Sequence, residues 1–203
     1  MKKPLRGYIM AQIFLIFILP VMLLYFKIVS DNWRMVLLMI SALIIYGIIR
    51  HENWTHKEMG VRYDNIKKAF PYYLFFTVLG FATLIFLGHK VGMPDIDTEI
   101  FFIKTFVLFL PISFFQEFTF RSFLMTRLQE LFKNQYYIIF INALLFTLMH
   151  IIYPSLGIIL PMVFVSGVLF AWLYLKYPNL ILISISHAIL NVTAVLLGFF
   201  YLH

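Results

Sequence analysis

Long apolar runs separated by short polar gaps fill the chain from end to end. The runs lie near 8–26, 33–49, 69–88, 100–125, 136–152, 156–175 and 179–202, and the fourth carries a helical extension toward Glu130. Each approaches the roughly 20 residues that cross about 30 Å of hydrocarbon as a helix. The pattern therefore predicts an all-α fold, a polytopic transmembrane bundle of about seven spans, with residues 1–203 as a single membrane domain. The first run follows Lys2, Lys3 and Arg6, as a signal peptide would, but it is long for an h-region and no A-x-A-like site follows. It is read as a retained helix.

Composition agrees with the pattern: 63% of residues are hydrophobic and 12% charged, against about 25% charged in an average soluble domain. There is no cysteine, which excludes disulfides, thiolate catalysis and Cys-ligated metals. The formal net charge of +7 acquires meaning from its placement. With the N-terminus inside, Lys2, Lys3, Arg6, Arg50, Lys57, Arg62, Lys67, Lys68, Arg127, Lys133 and Lys176 fall on the inner side, and only Lys27, Arg34, Lys90 and Lys104 on the outer, beside Asp95, Asp97 and Glu99. That asymmetry predicts a multi-pass protein of the plasma membrane with a cytoplasmic N-terminus, its basic residues facing anionic lipid and not nucleic acid. The longest polar stretch, residues 50–68, mixes charges with Trp54, Met59, Val61 and Tyr63 and is expected along the inner interface, with His51 and His56 solvated. Pro20, Pro111 and Pro161 lie inside apolar runs; Pro111 is either a packing kink or a tilt that opens a wet cavity.

An ionisable side chain at mid-membrane costs roughly 2.5–3.5 kcal/mol on insertion scales, so each needs a partner or a function. The mid-span polar residues are Gln116, Glu117 and Arg121 in the fourth run, Asn142 and His150 in the fifth, and His187 and Asn191 in the seventh. Gln116 and His150 each stand about 14 residues, roughly 21 Å, from the turn between their runs, and His187 falls at a similar depth. Glu117 and Arg121 are i, i+4 neighbours able to pair within one helix, while Gln116 points about 100° away. His187 and Asn191, also i, i+4, can aim two donors at one developing oxyanion. Phe146, one turn before His150, is placed to pack over its imidazole.

The three clusters, "QEFTFR", "FTLMH" and "HAILN", resemble the E-E-x-x-x-R, F-x-x-x-H and H-x-x-x-N motifs of the CAAX protease and bacteriocin-processing family, the Rce1-like intramembrane glutamic proteases, also called the abortive-infection family. "SGVLFAWLYLKYPNL" resembles the small-residue helix and basic turn of that family, and the motif-bearing core covers about 111–195. The resemblance implies a polar intramembrane cavity open to the cytoplasmic side and cleavage of a peptide bond near the C-terminus of a lipidated or hydrophobic substrate. It gives His150 the water-positioning role and makes His187 and Asn191 the oxyanion donors. Glu117 and Arg121 take the second-glutamate and arginine places.

The first glutamate of the motif is Gln116 here. A carboxamide can hold a water but cannot take its proton. Three readings stay open: Glu117 serves as base, His150 acts alone, or the chain no longer hydrolyses peptides. The expected function is accordingly an intramembrane peptidase without a metal, partnered by lipids and a hydrophobic or lipidated substrate. The alternative is a non-catalytic peptide-binding or bacteriocin self-immunity protein. A zinc enzyme using Glu117, His150 and His187 ranks lower, because Arg121 competes for the carboxylate and repels a cation. A transporter ranks lower again, since no internal repeat is evident.

Overall fold

A computed structural model describes residues 5–88, 98–152 and 156–199. The described chain forms seven helices: α1 Arg6–Tyr25, α2 Asp31–His51, α3 Ile66–Gly88, α4, α5 Gln135–Leu148, α6 Leu156–Lys176 and α7 Leu180–Leu196. Helix α4 runs unbroken through Thr98–Glu117, Phe118–Leu124 and Met125–Leu131. There is no strand among the described residues. The all-helical membrane bundle expected from the apolar runs is what the chain builds.

Four helices, α1, α2, α3 and α6, have 20, 21, 23 and 21 residues and are long and apolar enough to cross a membrane. Helices α5 and α7 are shorter than the runs that announced them, at 14 and 17 residues, or about 21 and 26 Å. The fifth run stays apolar to Ile152, but the helix stops at Leu148 and passes into a turn at 149–152. The seventh run was expected to reach 202; its helix ends at Leu196, where Gly198 adopts φ +74° and the amides of Gly198 and Phe199 turn back to Val195 and Ala194. Residues 200–202 of that run lie outside the described residues.

Helix α7 packs between α3 and the first part of α4, and α5 lies along α6. Small residues permit the close approaches, as expected where lipid supplies no hydrophobic drive between helices. A Cβ on Gly167 of α6 would meet the Ala143 Cα of α5 at 3.2 Å, and Gly80 and Gly88 of α3 receive Leu190 of α7 and Leu197 just after it. Outward, Tyr46, Phe75, Phe86, Tyr137, Phe140 and Leu144 stay exposed on the bundle surface, where hydrocarbon can cover them. In-helix hydroxyls bond back one turn, Thr77 to the Tyr73 carbonyl and Ser184 to that of Leu180, so they need no partner across the bundle.

The polar connection after α2 is fastened to the α6–α7 turn. Asn179, fully buried, caps α7 by accepting from Leu182 N, and its amide donates to the Arg62 carbonyl and to Asn65 Oδ1. Asn65 Nδ2 donates to the Pro178 carbonyl, and Leu180 N to that of Gly60. Gly60 has φ +78°, and a Cβ there would fall 2.0 Å from the Tyr174 hydroxyl, so only glycine fits. Beside it Arg127, fully buried in α4, pairs with Glu52 and Glu130 and lies over the rings of Trp54 and Phe123. His51 and His56 are exposed, as their solvated reading expects.

Candidate functional site

Helix α4 is not uniform. From Phe118 to Leu124 its bonding widens to i→i+5, a π-turn of the kind that concentrates at functional sites because it frees backbone groups from the regular ladder. The Phe120 carbonyl accepts from Asn142 Nδ2 of α5 at 2.8 Å. Asn142 Oδ1 in turn accepts from Arg121 Nη1 at 2.7 Å, Arg121 Nε stands 3.3 Å from Glu117 Oε2, and Glu117 Oε1 accepts from His187 Nδ1 at 2.6 Å. The result is a polar chain across α5, α4 and α7. Glu117, Arg121 and Asn142 have no exposed surface, so every member depends on its neighbours for what water would otherwise supply. The Arg121 guanidinium also lies 4.8 Å over the Phe146 ring.

His150 sits just beyond the end of α5. Its Nδ1 is 2.9 Å from the Phe146 carbonyl, which can only accept, so Nδ1 carries the proton and a neutral ring keeps its lone pair on Nε2. The same reasoning applies to His187, whose Nδ1 donates to a carboxylate. Phe146 packs against both rings, with centroids 5.0 Å from His150 and 5.7 Å from His187, and Phe170 lies 5.7 Å from His187 on another side. One turn along α7, Asn191 Nδ2 donates to Ser113 Oγ at 3.1 Å, which leaves its second N–H for another acceptor.

Gln116, His150 and Asn191 line a cavity of about 570 Å³ whose walls are largely apolar, from Ile16, Phe17, Leu38, Leu108, Phe109 and Ile112. Gln116 Oε1 is buried there without a hydrogen-bond partner. Pro20 of α1 lies in the same wall; its ring cannot donate to the Ile16 carbonyl one turn earlier, and Ser41 Oγ approaches that oxygen at 3.5 Å.

The six residues singled out in the sequence thus fall into two layers. Glu117, Arg121 and His187 belong to the polar chain, while Gln116, His150 and Asn191 face the cavity. Two contributors were not foreseen. Asn142 was noted for depth alone, and its contact with Arg121 crosses from α5 to α4, which spacing within one helix does not reveal; Ser113, one turn before Glu117, has a spacing that marks the same face as Glu117. Of the three residues named for zinc, Glu117 is engaged by Arg121 and His187 Nδ1, and among the described residues no three His, Cys, Asp or Glu side chains are grouped to hold a metal ion.

Comparison with known proteins returns one family. Residues 98–193 match the family model of the type II CAAX prenyl endopeptidase Rce1-like proteins, a span that holds all six site residues. No curated protein and no solved structure matches the chain.

Proposed function

We propose, with residues 98–193 as an Rce1-like segment, that the chain is a CAAX-protease-type intramembrane peptidase acting on a hydrophobic or lipidated peptide. The observation that carries this reading is the pair of imidazoles fixed through Nδ1, one to a backbone carbonyl and one to a carboxylate. A water in the cavity would donate to Gln116 Oε1, the buried acceptor without a partner, and to His150 Nε2, which takes its proton as the oxygen attacks the peptide carbonyl. The negative oxygen that forms is met by the second N–H of Asn191, and by His187 once its Nε2, bare in the neutral ring, takes a proton from solvent. His150 then returns its proton to the leaving amine. Arg121 orients the Glu117 carboxyl through its contact at 3.3 Å without touching substrate. The basic residues of the connections support a cytoplasmic N-terminus, with membrane lipid as the constant partner.

Gln116 also favours a second reading. A cavity that presents a carboxamide where the family motif has a glutamate is suited to capture of a hydrophobic peptide without cleavage, the role of a self-immunity protein. Mass-spectrometric detection of products from a lipidated C-terminal peptide and a library of apolar peptides separates the two. The peptidase reading expects product from the natural chain, none from His150→Ala, a rate lower by roughly 10²–10³ for Asn191→Ala, and a gain for Gln116→Glu, which adds a carboxylate base. Binding by every variant with product from none of them establishes capture.

A further inference from the structure

A hydroxyl inside an apolar helix ordinarily bonds back to its own ladder, as Thr147 does to the Ala143 carbonyl and Thr193 to that of Ile189. Ser113 differs. It has no exposed surface, and its oxygen accepts from Asn191 Nδ2 of α7 at 3.1 Å. The bond has a companion one turn along, where Glu117 Oε1 accepts from His187 Nδ1 at 2.6 Å. Ser113 and Glu117 are i, i+4 on α4, and His187 and Asn191 are i, i+4 on α7. The two helices therefore meet antiparallel in two rungs, Glu117 with His187 and Ser113 with Asn191.

Such pairing demands equal spacing on both helices. Four residues of α-helix rise about 6 Å, and both stretches are regular: α7 is α-helical over Leu180–Leu196, and α4 is so over Thr98–Glu117. The π-turn begins at Phe118, just past the second rung, so the widened backbone leaves the register of both rungs intact. Gln116, three residues after Ser113, belongs to the same regular stretch and lines the cavity with Asn191. Each rung uses one polar atom of an α7 side chain and leaves another, Nε2 on His187 and the second N–H on Asn191.

We propose that Ser113 is a positioning residue for this site: its oxygen holds the Asn191 carboxamide so that the second N–H points at the oxygen that becomes negative. The proposal rests on the peptidase reading for the identity of that oxygen alone. The terminal torsion of asparagine is broad, and without a fixed acceptor the carboxamide turns over more than one orientation. A donor already aimed at the developing charge needs no reorganisation as the charge forms. Its benefit belongs to the transition state and not to binding. Ser113 is not part of the cavity wall and acts through Asn191, which is.

Ser113→Ala, Asn191→Ala and the double variant are assayed in detergent for cleavage of the lipidated C-terminal peptide, with kcat and KM separated. Ser113→Ala is expected to lower kcat by roughly 3–10-fold, the worth of one neutral hydrogen bond, with KM unchanged, against roughly 10²–10³ for Asn191→Ala. In the Asn191→Ala background the serine change is expected to add nothing, because the carboxamide it acts through is gone. A general packing role would persist in that background and show in folded yield. A second readout needs no turnover: NMR of the asparagine side-chain amides after selective isotope labelling, with the Asn191 signal identified by its loss in Asn191→Ala. One of its two amide hydrogens is expected to move upfield in Ser113→Ala as its acceptor disappears, with the Asn142 and Asn179 signals unmoved. A natural chain that yields no product from this peptide or from the apolar library refutes the peptidase reading and leaves the amide signal to decide on Ser113. An Asn191 signal unchanged in Ser113→Ala, or a kcat loss undiminished when Asn191 is alanine, overturns the proposal.

Discussion

Asn142→Ala isolates the polar chain behind the cavity. The change removes a carboxamide that accepts from Arg121 Nη1 at 2.7 Å and donates to the Phe120 carbonyl at 2.8 Å, both with no exposed surface on Asn142. The first bond is charge-assisted, a class worth about 1.5–3 kcal/mol, and the second is neutral, about 0.5–1.5 kcal/mol. Hydrogen bonds between membrane helices average less, about 0.6 kcal/mol, because the unfolded helices in the membrane find other partners. Arg121 Nη2 has no hydrogen-bond partner among the described residues and Nε has only its 3.3 Å contact with Glu117, so losing Asn142 leaves Nη1 without its acceptor in a fully buried site and the loss falls near the upper part of the range. Asn142→Ala is expected to lower stability by about 2–4 kcal/mol in a detergent-to-SDS unfolding titration. Asn142→Asp keeps an acceptor for Arg121 and loses only the donor to Phe120, so it is expected to be milder. An alanine variant within about 0.5 kcal/mol of the natural chain, the range of an ordinary surface change, would refute the idea that Asn142 anchors the π-turn.

Three further outcomes follow from the same contacts. Gly60→Ala places a left-handed residue, at about 1–2 kcal/mol, against the Tyr174 hydroxyl, and is expected to reduce folded yield; Tyr174→Phe in the same chain should recover part of it, read by detergent size-exclusion chromatography. Glu52→Gln removes one charge-assisted partner of buried Arg127 and is expected to cost about 1.5–3 kcal/mol in the same unfolding titration, whereas Glu52→Gln equal to the natural chain would mean that Glu130 suffices. In the polar connection, the Thr55 amide and then the Thr55 hydroxyl bond Glu58 and hold its carboxyl below the ordinary value of 4.5. The stabilisation from this depressed value is complete above 4.5 and is lost as pH falls through the folded value beneath it; carboxyl NMR titration should move Glu58 upward in Thr55→Ala.

The apolar runs disclosed the helices because hydrocarbon imposes length and composition on any segment that crosses it. Their ends were less visible. Nothing in the run from Tyr136 to Ile152 marks the stop at Leu148, since the residues of the turn are as apolar as the helix before them. Spacing disclosed that Glu117 could reach Arg121, because i, i+4 is fixed by the helix itself. It could not disclose that Glu117 reaches His187, or that Asn142 reaches Arg121, because those contacts depend on how α4, α5 and α7 rotate against one another. The π-turn is the sharpest case: Phe118 to Leu124 reads as ordinary helix, and the Asn142 amide that donates to the Phe120 carbonyl within the turn comes from another helix.

The brevity of α5 reaches into the surrounding lipid. Its 14 residues span about 21 Å, while Tyr136, Tyr137, Phe140 and Leu144 keep an apolar face turned outward. Hydrocarbon about 30 Å thick cannot match a 21 Å ledge without compressing, and each ångström of mismatch costs a fraction of a kcal/mol. A leaflet that meets this ledge is expected to be drawn inward beside α5, and where it thins at the end that turns toward His150 the headgroup region and its water come nearer to the imidazole than the nominal depth allows. Acyl-chain length then becomes a control on the site: reconstitution in short-chain lipid relieves the compression, and long-chain lipid opposes it.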